Sequence, residues 1–255
     1  MNLMIRRLPW LPPVLLLALL AVWEVGVGVS GMPAWFLPPP SRVLTTLVEV
    51  LPLLLDHSRN TVLAALTGLA AAVLLALVLA VVMGLSPRAR QGLYPLLVVS
   101  QTVPIITVAP LLVIWFGFGI LPKVVVVTLI CFFPVAVSMV EGMRAADPDM
   151  VNLLRVMGSS RWQIIRLVRL PAAMPSFFAG LKIAATYAVM GAVIGEWLGA
   201  GSGLGVFMTR ATQAYKADSV FAAIIVISLI SLLLFALIEL ASRLAIPWFY
   251  NERSK

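Results

Sequence analysis

The sequence predicts an all-α, polytopic membrane protein with about six transmembrane helices and one long cytoplasmic loop. Three observations carry that expectation. Of 255 residues, 62% are hydrophobic and 11% charged, with a mean hydropathy of +1.09, whereas a soluble domain is about half apolar and about a quarter charged. The apolar residues fall in runs of about 20, the length of a helix that crosses the hydrocarbon core. The basic residues fall in the gaps between those runs. A net charge of +8 on a soluble domain would suggest nucleic acid. Here the pattern is that of membrane topology, so lipid is the expected partner and nucleic acid is not.

The first span is read at 9–29, opened by Pro9, Pro12 and Pro13 and marked by Glu24. Arg6 and Arg7 before it give it the outline of a signal peptide, but a clear small-residue cleavage site is missing, so the span is expected to be retained. Pro38-Pro39-Pro40 then introduces a non-spanning surface helix, interrupted at Pro52. Spans follow at 61–85, 93–116, 120–140, 177–198 and 220–241. The expected organisation is an N-terminal span and extracytoplasmic segment (1–58), a transmembrane domain (59–242) and a tail (243–255). With the N-terminus inside, the inner segments hold 12 Lys and Arg: Arg6, Arg7, Arg88, Arg90, Arg144, Arg155, Arg161, Arg166, Arg169, Arg243, Arg253 and Lys255. The outer segments hold 5: Arg42, Arg59, Lys123, Arg210 and Lys216. That bias puts both termini in the cytoplasm of a cell bounded by a plasma membrane.

Residues 141–176 then form the longest inner loop, and NLLRVMGSSRWQIIRLVRLP within it carries four arginines. Asp147-Pro148-Asp149 reads as a helix start: a capping carboxylate, a proline at the first position and an acid near the positive helix end. Val151, Leu154 and Met157 form one stripe, Gly158 permits a sharp turn, and Ser159 or Ser160 caps a second helix. Trp162, Ile165 and Val168 or Arg169 share a face of that helix, which Pro171 and Pro175 are expected to end. An apolar face with a basic rim suits either a membrane surface or a docking site.

Within the spans, Gln101, Thr102, Pro104, Thr107 and Pro110 mark a kinked helix whose freed carbonyls need protein or a water-filled cavity. Gly180, Ala184, Ala188 and Ala192, four apart, form a close-packing face. Lys182, Thr186 and Tyr187 lie off that row, and Lys182 is placed either to snorkel or to meet solute. Glu196, before the glycine-rich GEWLGAGSGLG, is either functional or an interface anchor. Glu239 and Arg243 have the spacing of a helical ion pair. His57 reads as a solvated surface histidine. No catalytic constellation, metal-ligand cluster or phosphate-cradling GxxxxGK[ST] loop is present in the sequence, so any ATP-driven step belongs to another chain. Cys131 is the single cysteine.

Gly158, nine residues, then Val168-x-Leu170-Pro171 resembles the loop signature of permease subunits of binding-protein-dependent ABC importers. At the Glu-Ala-Ala positions of that signature the chain has Asn152-Leu153-Leu154, and Val168 replaces Ile. SQTVPIITVAPLLVIWFGFG at 100–119, FFPVAVSMVEGMRAADPDM at 132–150, LPAAMPSFFAGLKIAATYA at 170–188 and GEWLGAGSGLG at 195–205 resemble the nitrate, sulfonate, taurine and thiamine-precursor branch. The resemblance implies a type I transmembrane domain and a coupling helix at residues 149–161, seated in a cleft of an ATP-binding subunit. The coupling set is then Asp149, Leu153, Leu154, Arg155, Gly158, Ser159, Ser160, Arg161, Leu170 and Pro171, with Arg155 or Arg161 replacing the polar contact of the missing glutamate. The translocation candidates are Gln101, Pro104, Thr107, Lys182, Tyr187 and Glu196. Implied partners are two ATP-binding subunits carrying ATP and Mg, a second permease copy and an extracytoplasmic solute-binding protein, with no cofactor or metal on this chain. The implied solute is a heterocyclic vitamin precursor, a thiamine pyrimidine or riboflavin-like compound. The alternative is an aliphatic sulfonate, taurine or nitrate. A stand-alone secondary transporter would show two related halves, and no repeat relates 1–125 to 126–255. A membrane enzyme would cluster His, Asp or Glu at one face.

Overall fold

In a computed structural model the described residues, 10–252, are helical throughout, joined by short turns. Arg6, Arg7, Pro9, Arg253 and Lys255 lie outside the described residues. Helix α1 (Leu11–Ser30) starts on a double proline and stops at Gly31. Only Val27 of it is buried. It is held at the periphery by Trp23 against Phe221 (5.3 Å between ring centroids) and by the Glu24 carboxylate, which accepts from Ser41 N at 2.9 Å and Ser41 Oγ at 2.7 Å. Glu24 thus caps the next helix from outside, an acid at a positive helix end.

Helix α2 (Pro40–Leu85) corrects the expected division into a surface helix and a span. It is one helix of 46 residues, about 70 Å long, against a hydrocarbon core of about 30 Å. Pro52 removes one backbone bond and does not break it. Leu54 explains why: it is fully buried among Leu204, Phe207, Ala211, Ala222, Ala223 and Val226, so tertiary packing holds the turn that proline weakens. Arg42 Nε donates to Asp218 Oδ2 at 3.0 Å near the helix start.

The span expected at 93–116 is also revised. Helices α3 (Pro87–Ser100) and α4 (Ile105–Phe116) meet at a 96° bend. Pro104 lacks the N–H that would continue the helix. Hydroxyls take up freed carbonyls: Ser100 Oγ donates to Leu97 O at 2.7 Å, Thr102 Oγ1 to Val99 O at 2.8 Å and Thr107 Oγ1 to Pro104 O at 2.7 Å.

Helix α5 (Ile120–Arg144) packs along α8 (Leu170–Trp197) and α2 to form the core. The small-residue row on α8 makes this contact: Ala184, Ala188 and Ala192 are fully buried. A Cβ on Gly180 would lie 2.5 Å from Pro134 O, and one on Gly68 of α2 2.5 Å from Val127. Backbones this close are how membrane helices gain packing without a hydrophobic drive between them. Cys131 is buried in this core, its Sγ 3.2 Å from Ala184 O.

Between α5 and α8 lie α6 (Pro148–Val156), α7 (Arg161–Ile164) and a π-helical turn, Ile165–Arg169, that runs straight into α8. Pro171 and Pro175 therefore do not end a helix. In the π turn Leu170 N–H reaches back to Ile165 O, and the widened turn leaves Pro171 at the start of a new α segment, where a missing N–H costs little. Helices α9 (Leu204–Gln213), α10 (Ala217–Ala245) and α11 (Pro247–Glu252) complete the chain. Among the described residues five stretches are long and apolar enough to cross a membrane: α1, α2, α5, Arg161–Trp197 and α10. The bent α3–α4 pair is either a broken sixth span or a re-entrant loop.

Candidate functional site

The loop segment folds as its local sequence dictates. Asp147 Oδ1 accepts from Asp149 N at 2.8 Å and starts α6. The helix ends at Gly158, φ 79°, where Gly158 N donates to Arg155 O at 3.0 Å and Ser159 N to Leu154 O at 2.9 Å. These two bonds form a Schellman motif, which needs the left-handed residue that glycine supplies. Of the two serines proposed as caps, Ser160 is the one used. Its Oγ accepts from Gln163 N at 3.2 Å, and Gln163 Oε1 accepts from Ser160 N at 2.7 Å, a full capping box. The turn between α6 and α7 is thus hydrogen-bonded on both sides.

Helix α6 has two faces. Pro148, Val151, Asn152 and Arg155 turn toward the bundle and line a cavity. Met150, Leu153, Val156 and Met157 turn outward, and Val156 is 87% exposed. The expected stripe of Val151, Leu154 and Met157 is therefore split: Val151 is buried, Leu154 half-buried and Met157 exposed. On the second helix Ile164 and Ile165 are buried, Val168 and Arg169 are half-buried, and only Trp162 of the expected face is exposed.

The arginines tie this segment to the end of α2. Arg161 Nη1 donates to Leu85 O at 3.2 Å and Arg169 Nη1 to Gly84 O at 3.1 Å. Cations on the last carbonyls of a helix satisfy orphan acceptors and oppose the dipole. Arg161 is thus engaged within the chain, and Arg155 donates to Asn152 Oδ1 at 3.3 Å on the bundle side. Leu170 packs against the core, and Pro171 is exposed.

A groove of about 530 Å³ opens between α4, α5 and α8. Two of the six translocation candidates, Gln101 and Tyr187, line it, with Phe133, Ser138, Ile183 and Met190. Pro104 and Thr107 stand at the adjacent bend and shape it without lining it. Lys182 does not line the groove; its Nζ lies 2.8 Å from Glu239 Oε2. Glu239 also accepts from Arg243 Nε at 2.9 Å, the helical pair read from spacing.

Glu196 sits in a polar knot at the far end of the bundle, 1% exposed. Its carboxylate accepts from Gly205 N at 2.8 Å and Thr61 Oγ1 at 2.9 Å, with Lys123 Nζ at 3.8 Å. Lys123 Nζ donates to Ser202 O at 2.9 Å, Gly203 N to His57 Nδ1 at 3.0 Å and Leu204 N to Thr61 Oγ1 at 2.9 Å. His57 is therefore not a solvated surface group but 8% exposed and bonded. Lys123, read as an outer-loop cation, is likewise buried. Gly203, φ 137°, lies so close to the Glu196 carboxylate that any Cβ would overlap it. The knot fastens α2, α5, α8 and the start of α9. Sequence spacing carried no signal for His57 or Lys123, since their partners are far along the chain.

Residues 68–246 match the family described as the binding-protein-dependent transport system inner membrane component. The formylaminopyrimidine transport permease protein ThiX of Halalkalibacterium halodurans is 36% identical over 238 residues, 93% of this chain and 95% of that one. The riboflavin transport system permease protein RibX of Chloroflexus aurantiacus is 36% identical over 238 residues, 92% of this chain and 89% of its own. The taurine transport system permease protein TauC of Escherichia coli is 32% identical over 259 residues, 95% and 94% of the two chains. Among solved structures, an inward-facing MetNI methionine ABC transporter shares the fold, with a TM-score of 0.68 at 17% identity over 76% of this chain and 97% of that one.

Proposed function

The chain belongs to the family of binding-protein-dependent transport system inner membrane components and is a multi-pass permease of an ABC importer; from that premise we propose that residues 149–161 couple it to separate ATP-hydrolysing subunits. The two-faced α6 carries this reading. Its outward face (Met150, Leu153, Val156, Met157) is apolar, exposed and fixed by a capped turn. Its base is bonded to α2 and continues through the π turn into α8. A push on that face is transmitted to the two longest core helices rather than absorbed by a loose loop. Asp149, Gly158, Ser159 and Ser160 shape the element, Leu153 lies on its outward face with Leu154 half-buried beside it, and Arg161, Leu170 and Pro171 join it to the bundle.

Two ATP-binding subunits, with ATP and Mg, supply the stroke. A second copy of this chain faces the open groove, and a solute-binding protein delivers at the opposite side of the plasma membrane. Both termini are cytoplasmic, as the Lys and Arg bias favours. The solute is a planar heterocycle such as a thiamine pyrimidine or riboflavin-like compound. The groove supports that class: Phe133 and Tyr187 offer ring faces, Gln101 and Ser138 offer hydrogen bonds, and no charged side chain lines it. A sulfonate or nitrate route would be expected to present a cation there. The experiment is ATP-driven uptake in proteoliposomes holding the chain with its partner subunits, comparing wild type with Val156→Asp/Met157→Asp. Loss of uptake and of ATPase stimulation, with the bundle still folded, supports the coupling role. Unchanged uptake makes the outward face a surface feature and removes the reading.

A further inference from the structure

Two cavities of about 290 and 300 Å³ lie where α6 and the π turn meet the ends of α2, α3 and α5. They share Gly84, Arg155 and Arg169, and Arg90, Arg144 and Arg161 complete a ring of five arginines around them. Arg144 is neutralised by Glu141 at 3.0 Å. Among the described residues, no ion pair involves Arg90, Arg155, Arg161 or Arg169. Arg161 and Arg169 each donate one N–H to a carbonyl of α2, which leaves most of each guanidinium fork unused. Four uncompensated cations in one concavity repel each other, and an anion that several of them share relieves that repulsion.

The position of the pocket narrows the anion. Its apolar floor is Met83, Val140 and Met143, at the last turns of two membrane-spanning helices. Its outer wall is the bundle-facing side of α6, with Val151, Asn152 and Arg155. A soluble partner on the opposite, outward face of α6 leaves the pocket uncovered. A group that presents a phosphate at the depth where apolar helix ends meet water is a phospholipid headgroup. Guanidinium forks match phosphate oxygens in geometry and charge, and basic pockets between spans on the cytoplasmic side suit anionic headgroups. We propose that this pocket binds the phosphate of an anionic phospholipid, held by Arg90, Arg155 and Arg169. One phosphate there links α3, α6 and the π turn, so an anionic leaflet stiffens the seat of the loop.

The test is lipid retention by the purified full chain in nanodiscs of phosphatidylcholine mixed with phosphatidylglycerol, read by native mass spectrometry. Wild type retains phosphatidylglycerol in preference to phosphatidylcholine. Arg90→Gln/Arg155→Gln weakens that retention by about tenfold, the effect of losing one to two charge-assisted contacts. Arg88→Gln/Arg166→Gln, outside the pocket, leaves it unchanged. Arg155→Gln alone, at an exposed side chain, keeps the test open should the double variant not fold. Equal retention by all variants overturns the proposal. Displacement of the lipid by inorganic phosphate assigns the pocket to a free phosphate and overturns the lipid as its source. Displacement on adding the ATP-binding subunit gives the pocket to an acidic protein surface and also overturns it.

Discussion

At the far end of the bundle Glu196 meets Gly205, Thr61 and Lys123 inside the protein, whereas at the loop end Arg90, Arg155, Arg161 and Arg169 meet no carboxylate among the described residues. The knot at the far end is closed on itself: Glu196 and Lys123 lie below a tenth exposed, and the backbone donors of Gly203 and Leu204 are taken by His57 and Thr61. The loop end is open, with two cavities and an exposed apolar helix face. Self-satisfied polar groups hold helices at fixed distances, while unsatisfied ones await something outside the chain. The permease therefore pairs its own polar groups at one end and leaves cations without an ion pair at the other, among the described residues.

The largest effect is expected from breaking the closed end. Glu196→Ala leaves Lys123 buried without its counter-charge and strips acceptors from Gly205 N and Thr61. The expected loss is about 3 kcal/mol, measured as a lowered thermal midpoint in detergent. Gly203→Ala should reproduce it, because its Cβ has no room beside the same carboxylate. If either variant melts like wild type, the far end is not an anchor.

At the loop end the largest change should be functional rather than thermodynamic. Gly158→Ala strains a left-handed residue in open space and costs about 1 kcal/mol. Misdirecting α7 should nevertheless cut ATPase stimulation by the permease several-fold, as a reconstituted turnover assay would report. An intermediate effect is expected for Arg161→Gln/Arg169→Gln, which frees the carbonyls of Gly84 and Leu85. About 1–2 kcal/mol of local stability should go, seen as faster amide exchange confined to the end of α2 and the π turn. Exchange spread evenly over α2 would contradict a local tie. The smallest effect belongs to Lys182→Met. It removes one arm of a pair with Glu239 whose side chains are both about a quarter exposed, so less than about 1 kcal/mol is expected, and solute uptake should be unchanged because Lys182 lies off the groove. A specific loss of uptake would return Lys182 to the pathway.

Much of the loop was legible because its determinants are neighbours in the chain. Asp147 caps Asp149 two residues on, Ser160 and Gln163 close a box three residues apart, and Gly158 is the residue a Schellman turn requires. The Gly180–Ala192 row was legible for the same reason, since four-residue spacing on one helix sets a face before any partner is known. Of the polar residues singled out in the spans, Gln101 and Tyr187 share one groove, while Lys182 and Glu196 are held elsewhere by partners that spacing does not reveal.

By itself the sequence determined that the chain is helical, that it is apolar enough for lipid, where α1, α5 and α10 begin within a few residues, and how its loop turns, because hydropathy and capping act over one or a few helical turns. The kink at Pro104 was legible, though its 96° angle was not; the tertiary structure alone decided that α2 runs on past Pro52, that a π turn whose Arg169 is tied to Gly84 carries the loop into α8, and that His57 and Lys123 are buried. Each depends on a contact between distant segments, Leu54 on Phe207 or Gly203 on His57, and at such sites the energy of packing and of satisfying buried polar groups exceeds local preference.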